Sequence, residues 1–163
     1  MKRRWQDELN SPRPGSSPEV PRETAEINKA VVRRWFEETD RGNLSIVAEL
    51  LPVDYVDHNP PLPDLPPGRE GVRQSALLLR AAFPDAVHTI EDQIAEGDKV
   101  MTRLTTRATF TGECLGYQPT GAVIQISGIA VHRVVDGRLV EHWAHMDMTG
   151  FMQQIGADVG DLA

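Results

Sequence analysis

The 163-residue chain contains one cysteine, no long apolar run and no nucleotide-binding motif, and each absence excludes a class of protein. Because Cys114 is alone, an internal disulfide and a multi-cysteine zinc site are excluded. No window approaches about 18 consecutive apolar residues, so we expect no membrane-spanning helix. The first residues are basic but lack the apolar segment of a secretory signal, and we expect a cytoplasmic protein. With no phosphate-binding glycine loop, we also expect no bound cofactor.

The charge and composition describe an acidic globular chain. A net charge of −7 disfavours nucleic acid and anionic membranes as partners. With 40% hydrophobic and 25% charged residues, the chain has the composition and length of one domain that buries a core. Prolines among serine, glycine and charged residues predict a loosely packed tail over residues 1–22. We therefore expect one domain over 23–157 and a short tail over 158–163.

Hydrophobic periodicity predicts helices in the first half of the domain and strands in the second half. Ile27, Val31 and Trp35 recur at helical spacing and predict the apolar face of the first helix. The predicted helices cover residues 24–41, 44–51, 70–83 and 148–155. The predicted strands cover residues 53–58, 87–95, 99–110, 122–134 and 138–145. This order favours an α+β fold, in which a curved antiparallel sheet wraps around helices and forms a cone with a central pocket.

The segment 131–147 concentrates the titratable side chains. Its three histidines and three carboxylates are His132, His142, His145, Asp136, Glu141 and Asp147. The Asp136-Gly137 pair predicts a hairpin turn between two strands. Histidine titrates near neutral pH and can donate or accept a proton. A hairpin that points these groups into the cone therefore predicts acid–base chemistry.

The register of this hairpin decides which side chains enter the pocket, since a slip of one residue exchanges the two faces. A two-residue turn of type I′ places His132 opposite Glu141. A three-residue loop with a glycine bulge places Ala130 opposite His142 instead. We favour the bulged register, because it collects small residues and histidines on one face of the sheet.

The bulged register separates an inner and an outer face. The inner face carries the small residues and the histidines, at Gly128, Ala130, His132, His142 and Ala144. The outer face carries large apolar residues and an ion pair, at Ile129, Val131, Leu139, Trp143, Arg133 and Glu141. We expect the inner face to line the pocket and the outer face to form a homodimer interface.

Seven short segments are landmarks of the domain: residues 28–36 (NKAVVRRWF), 55–58 (YVDH), 82–85 (AFPD), 94–100 (IAEGDKV), 112–116 (GECLG), 119–121 (PTG) and 136–143 (DGRLVEHW). In this order they resemble the SnoaL-like polyketide cyclases, a family within the nuclear transport factor 2-like superfamily of cystatin-like α+β cones. The resemblance covers about residues 25–156. The superfamily hosts many activities, so the resemblance indicates the fold more directly than the reaction.

The resemblance implies a ligand-sized cone and a homodimer. In the best-understood members it also implies an intramolecular aldol ring closure of an aromatic polyketide ester, without a cofactor. Those enzymes use an aspartate as acid and base, helped by a histidine. Aligned on Asp136-Gly137, the aspartate falls on Ala144 and the histidine on Ala130. A different residue therefore does the work, or the reaction is different, or there is none.

Three histidines are the candidate catalytic residues: His142, His132 and His58. Each has the alternative of a purely structural hydrogen bond to the backbone or to a neighbour. His58 ends the short strand before the proline-rich loop, where it contacts ligand or anchors the loop, while Asp57 alternates to the opposite face. A metal site would require the three histidines to converge, and we expect no metal site.

Eight further residues are candidate ligand contacts: Trp35, Tyr55, Phe83, Glu113, Tyr117, Ala130, Ala144 and Asp147. Trp35 and Phe83 have the alternative of packing in the core. Asp147 has the alternative of capping the last helix. Cys114 is expected to be a small apolar filler rather than a nucleophile.

The sequence supports three functions. The first is a cofactor-independent acid–base enzyme of secondary metabolism that cyclises or isomerises a hydrophobic, polyketide-like small molecule. The second is a non-catalytic binding or accessory protein with the same cone, which the two alanines favour. The third is an epoxide or ester hydrolase, which requires a carboxylate such as Glu113 or Asp147 to point into the pocket.

Overall fold

The computed structural model describes residues 22–157. The two predicted tails fall on residues outside this range, apart from Arg22, which begins the first helix. The elements in chain order are α1 (Arg22–Asp40), α2 (Ser45–Leu50), β1 (Val56–Asp57), α3 (Gly68–Ala82), β2 (Val87–Glu96), β3 (Lys99–Thr109), β4 (Val123–Val135), β5 (Arg138–Met146) and α4 (Met148–Ile155). Within the described range, no helix is both long enough and apolar enough to cross a membrane.

The strands form one curved five-stranded sheet in the order β1-β5-β4-β3-β2. Its long strands are antiparallel, whereas β1 pairs in parallel with β5 at the edge. The helix α1 packs against the inner face of the sheet, mainly on β2. The predicted α+β fold with a curved sheet around helices is confirmed.

The face that α1 buries differs from the predicted face by one residue. Its buried residues are Asn28, Val32 and Phe36, while Ile27 is 55% exposed. Because the polar Asn28 interrupts the apolar pattern on the buried face, the periodicity predicts the neighbouring face, which carries Ile27 and Val31. The correct face matters because it brings Phe36 onto the inner side of the sheet.

Two apolar clusters fill the fold. The inner cluster lies between α1, α2 and the sheet and contains Val32, Phe36, Ile46, Val47, Leu50, Leu51, Tyr55, Val100, Leu104, Ala130, Val134 and Leu139. The second cluster joins the end of α3 to α4 and contains Ala82, Phe83, Ala108, Phe110, Cys114, Ile124, Phe151, Met152 and Ile155. The buried Cys114 is a packing residue of the second cluster.

The hairpin between β4 and β5 has a register that neither sequence-based alternative predicted. Asp136 and Gly137 have φ values of 50° and 72°, as a two-residue turn of type I′ requires, and Val135 pairs with Arg138. A bulge at position 140 then shifts the pairing by one residue, so that His132 lies opposite His142. The predicted two faces are restored by this bulge. The exception is Leu139, which precedes the bulge and is fully buried on the inner side.

Candidate functional site

A row of three polar side chains crosses β4, β5 and β1 on the inner side of the sheet. His132 pairs with His142, and their rings are 4.7 Å apart between centroids. On the other side of β5, His142 pairs with Asp57 of β1. The next pair along the hairpin is Ala130 with Ala144. The polar row therefore lies beside the two alanines.

The carboxylate of Asp57 contacts the ring of His142. Its Oδ1 lies 3.2 Å from Nδ1 of His142, and each side chain is 18% exposed. Burial acts to raise the pKa of the Asp57 carboxyl. The hydrogen bond and the charge of His142, with the backbone N–H of Asn59 at 3.0 Å, outweigh burial and hold this pKa below its ordinary value.

This contact fixes the tautomer of His142. An ionised carboxylate can only accept hydrogen bonds, so Nδ1 of His142 carries a proton and its N–H donates a hydrogen bond to Asp57. The lone pair then resides on Nε2. A histidine oriented in this way can accept a proton at Nε2, and the negative charge of Asp57 stabilises the imidazolium that results.

His132 is in a different state, because it is almost completely buried. Its side chain meets the edge of Phe36, with 5.9 Å between ring centroids. Within residues 22–157, its Nδ1 has no hydrogen-bond partner. Burial, and to a lesser extent the charge of His142, lower the pKa of His132 well below the usual value. His132 is therefore neutral at neutral pH.

The pH dependence of stability tests the neutral state of His132. Since its folded pKa is lowered, the unfolded chain takes up the extra proton as the pH falls below about 6.5. The stabilising effect of neutral His132 is thus present above that pH and is lost in acid. Between about pH 6.5 and 5, we expect this group to reduce the free energy of unfolding by up to about 1.4 kcal/mol per pH unit.

Urea denaturation across this pH window measures the effect. His132→Gln should flatten the dependence of the unfolding free energy on pH, whereas His145→Gln, at an exposed position, should retain it. If the unfolding free energy of the wild-type protein and of His132→Gln had the same slope against pH, His132 would take up no proton on unfolding.

The structure places His58 on the outer side of the sheet, away from the other two candidate histidines. Its ring stacks on Trp143, with 4.5 Å between centroids and 4° between planes. His58, His132 and His142 are therefore not brought together. In the described part of the chain, no group of three histidine, cysteine, aspartate or glutamate side chains has the arrangement of a metal site.

The candidate ligand contacts are divided between the two clusters and the surface. Trp35, Tyr55, Ala130 and Ala144 belong to or pack against the inner cluster. Burial raises the pKa of Tyr55, so its phenol stays neutral. Phe83 is a core residue of the second cluster, stacked on Phe110 at 5.4 Å, and Tyr117 packs against that cluster.

The two candidate carboxylates outside the row do not point into the fold. Glu113 is exposed and accepts a hydrogen bond from Gln118. It borders an open groove of about 190 Å³, which is lined by Leu62, Leu78, Glu113, Cys114 and Leu115. Asp147 caps α4, where its Oδ1 accepts from the backbone N–H of Gly150 at 2.8 Å. Asp147 therefore serves as a helix cap, and Glu113 faces the open groove rather than the row of Asp57, His142 and His132.

Two acidic residues in contact with histidines were not among the predicted site residues. One is Asp57, which enters the site because β1 is the parallel neighbour of β5. The other is Asp40 at the end of α1, which contacts His88 with 2.6 Å between Oδ1 and Nδ1. Phe36 lies against the ring of His88 at 5.3 Å and also against His132. The alternation of β1 was a usable signal for Asp57, whereas no local pattern indicates the pair of Asp40 and His88.

The fold is that of a known class of small α+β cones. A family model described as SnoaL-like polyketide cyclase matches residues 30–155. The chain is 30% identical over 134 residues to the aklanonic acid methyl ester cyclase DnrD of Streptomyces peucetius, covering 77% of this chain and 88% of that one. The chain belongs to the SnoaL-like polyketide cyclase family.

Two solved structures show the same fold. TsrD of Streptomyces laurentii is 25% identical, with a TM-score of 0.74, and the match covers 86% of this chain and 100% of that one. IdmH of Streptomyces antibioticus is 32% identical, with a TM-score of 0.69, and the match covers 80% of this chain and 99% of that one. The resemblance predicted from the sequence motifs is confirmed.

Proposed function

We propose that this protein is a cofactor-independent acid–base enzyme that closes a ring in a hydrophobic, polyketide-like ester by an intramolecular aldol reaction. The observation that carries the proposal is the row of Asp57, His142 and His132 beside Ala130 and Ala144. The family's acid and base align with those alanines. The neighbouring row supplies a carboxylate and two imidazoles that can replace them.

In the proposed reaction, Nε2 of His142 takes a proton from the carbon next to the ester carbonyl. The resulting enolate carbon attacks a ketone carbon of the same molecule, so that one carbon–carbon bond forms. The proton held by His142 then passes to the ketone oxygen, which becomes a hydroxyl group. The product therefore has the same atoms as the substrate. Asp57 stabilises the imidazolium of His142 from the removal of the proton until its return.

His132 has a supporting role in this scheme. Because its pKa is lowered by burial, its ring is neutral and does not repel the imidazolium of His142. The buried ring packs between His142 and Phe36, with 4.7 Å and 5.9 Å between ring centroids, so it supports the orientation of His142 without touching the substrate.

The substrate class of the proposal rests on the relatives. Two curated relatives at 30% identity carry the name aklanonic acid methyl ester cyclase, and each aligns over 77% of this chain. A polyketide ester therefore supplies both carbonyl groups that the row of side chains would act on.

The second candidate function is a binding or accessory protein, which is favoured by the alanines at positions 130 and 144.

One assay separates the two candidate functions. Aklanonic acid methyl ester is incubated with the protein in buffer without added cofactor. The products are then separated by chromatography, and their masses are measured by mass spectrometry. An enzyme should produce a compound of unchanged mass with a new retention time, at a rate proportional to protein concentration. Quenching of tryptophan fluorescence that saturates, with no new compound, would establish a binding protein and overturn the proposal.

We also propose that the protein is a homodimer formed through the outer face of β4 and β5. That face presents Ile129, which is 44% exposed, together with Val131 and Trp143 and the ion pair of Arg133 and Glu141. Ile129→Glu should shift the mass measured by sedimentation equilibrium from dimer to monomer. A monomeric wild-type protein at micromolar concentration would refute this assembly.

A further inference from the structure

The strand that carries Asp57 is held by few backbone hydrogen bonds. β1 contains two residues, and the loop that follows it contains five prolines between residues 59 and 68, which donate no backbone hydrogen bonds. The backbone N–H of His58 donates to the carbonyl oxygen of His142 at 3.0 Å. The side chain of Asn59 accepts from the backbone N–H of Ala144 at 3.3 Å. A two-residue edge strand with so few hydrogen bonds needs another contact to stay in register.

The outer side of the sheet supplies that contact. Since Asp57 and His142 are paired on the inner side, the next residues, His58 and Trp143, meet on the outer side. Their rings are parallel within 4° and 4.5 Å apart, and the ammonium group of Lys99 lies 5.4 Å from the Trp143 ring. Parallel aromatic rings at this separation attract each other beyond the area that they bury.

We propose that His58 and Trp143 are positioning residues, whose stack on the outer face holds β1 against β5 and keeps Asp57 in contact with His142. The stack and the carboxylate–imidazole pair lie on opposite sides of the same two strands, at consecutive positions. Separation of the rings would release β1, and Asp57 would move away from Nδ1. The effect on catalysis rests on the function proposed above, whereas the effect on the geometry of the pair does not.

Two variants at one position test the proposal. His58→Ala removes the ring, and His58→Phe keeps a flat aromatic ring without a titratable nitrogen. The Nδ1–H tautomer of His142 is read from the nitrogen chemical shifts of protein with ¹⁵N-labelled histidine. We expect the wild-type protein and His58→Phe to show this tautomer and His58→Ala to show a mixture.

Turnover of aklanonic acid methyl ester provides the second measurement. We expect His58→Ala to lower kcat about 2- to 10-fold with little change in KM, and His58→Phe to restore kcat. The proposal is overturned if His58→Ala leaves the His142 tautomer unchanged, or if His58→Phe fails to restore it. If the wild-type protein does not cyclise the ester, the proposed function fails and the nitrogen shifts alone decide the positioning role.

Discussion

His142→Gln is expected to lower kcat for cyclisation of aklanonic acid methyl ester about 100- to 10,000-fold, which is the usual contribution of a general acid or base. Glutamine keeps a polar side chain of similar length but cannot take up a proton. Because glutamine is close to histidine in size and can still form a hydrogen bond with Asp57, the substitution should leave folding intact. KM should change far less than kcat, since proton transfer concerns the transition state more than binding.

The matched control for this experiment is His145→Gln on the same strand. His145 lies opposite Ile129 on the outer side and is exposed. The same chemical change three residues away should therefore leave kcat at the wild-type value. Equal activity of His142→Gln and the wild-type protein would remove His142 from the mechanism and overturn the proposed proton transfer.

Asp57→Asn is expected to lower kcat about 10- to 100-fold, the factor that corresponds to losing a hydrogen bond with one charged partner. Asparagine preserves the shape of the side chain but carries no charge, so it no longer stabilises the imidazolium of His142. Its amide can also donate to Nδ1, which favours the wrong tautomer of the ring. The measurement is kcat with the same ester, together with the nitrogen shifts of His142.

Asp54→Asn serves as the control for the charge change. Asp54 is an exposed turn residue just before β1, and the substitution alters the net charge by the same amount. Its kcat should equal that of the wild-type protein. If both variants lost activity equally, the effect would belong to the overall charge, and the specific role of Asp57 would be rejected.

Most of the fold could be predicted from the sequence because its signals are local. Alternating apolar residues identify the long strands, and Asp136-Gly137 identifies a turn that needs two residues with positive φ. The face of α1 was wrong by one residue, because the buried Asn28 contributes no apolar signal. Hydrophobic periodicity depends only on apolar side chains, so a buried polar residue does not contribute to it.

The site was less predictable because it depends on contacts between distant segments. His132 and His142 were predicted from their positions in one hairpin. Asp57 is 85 residues from His142 in sequence, and only the parallel pairing of β1 with β5 brings the two side chains together. The sequence predicted that Asp57 and His58 lie on opposite faces and that His58 contacts ligand or anchors the loop, whereas the structure has Asp57 on the inner side and His58 stacked on Trp143 on the outer side. A strand of two residues carries no pattern that fixes which side is buried.

The bulge in β5 has a consequence for how relatives of this protein are aligned. Without it, the pairing that begins at Val135 and Arg138 would continue unbroken, and Glu141 instead of His142 would lie opposite His132. An insertion or deletion of one residue in this strand therefore exchanges the side chains offered to a substrate, even when no residue is substituted. Alignments that place gaps freely here will transfer catalytic assignments to the wrong side of the sheet.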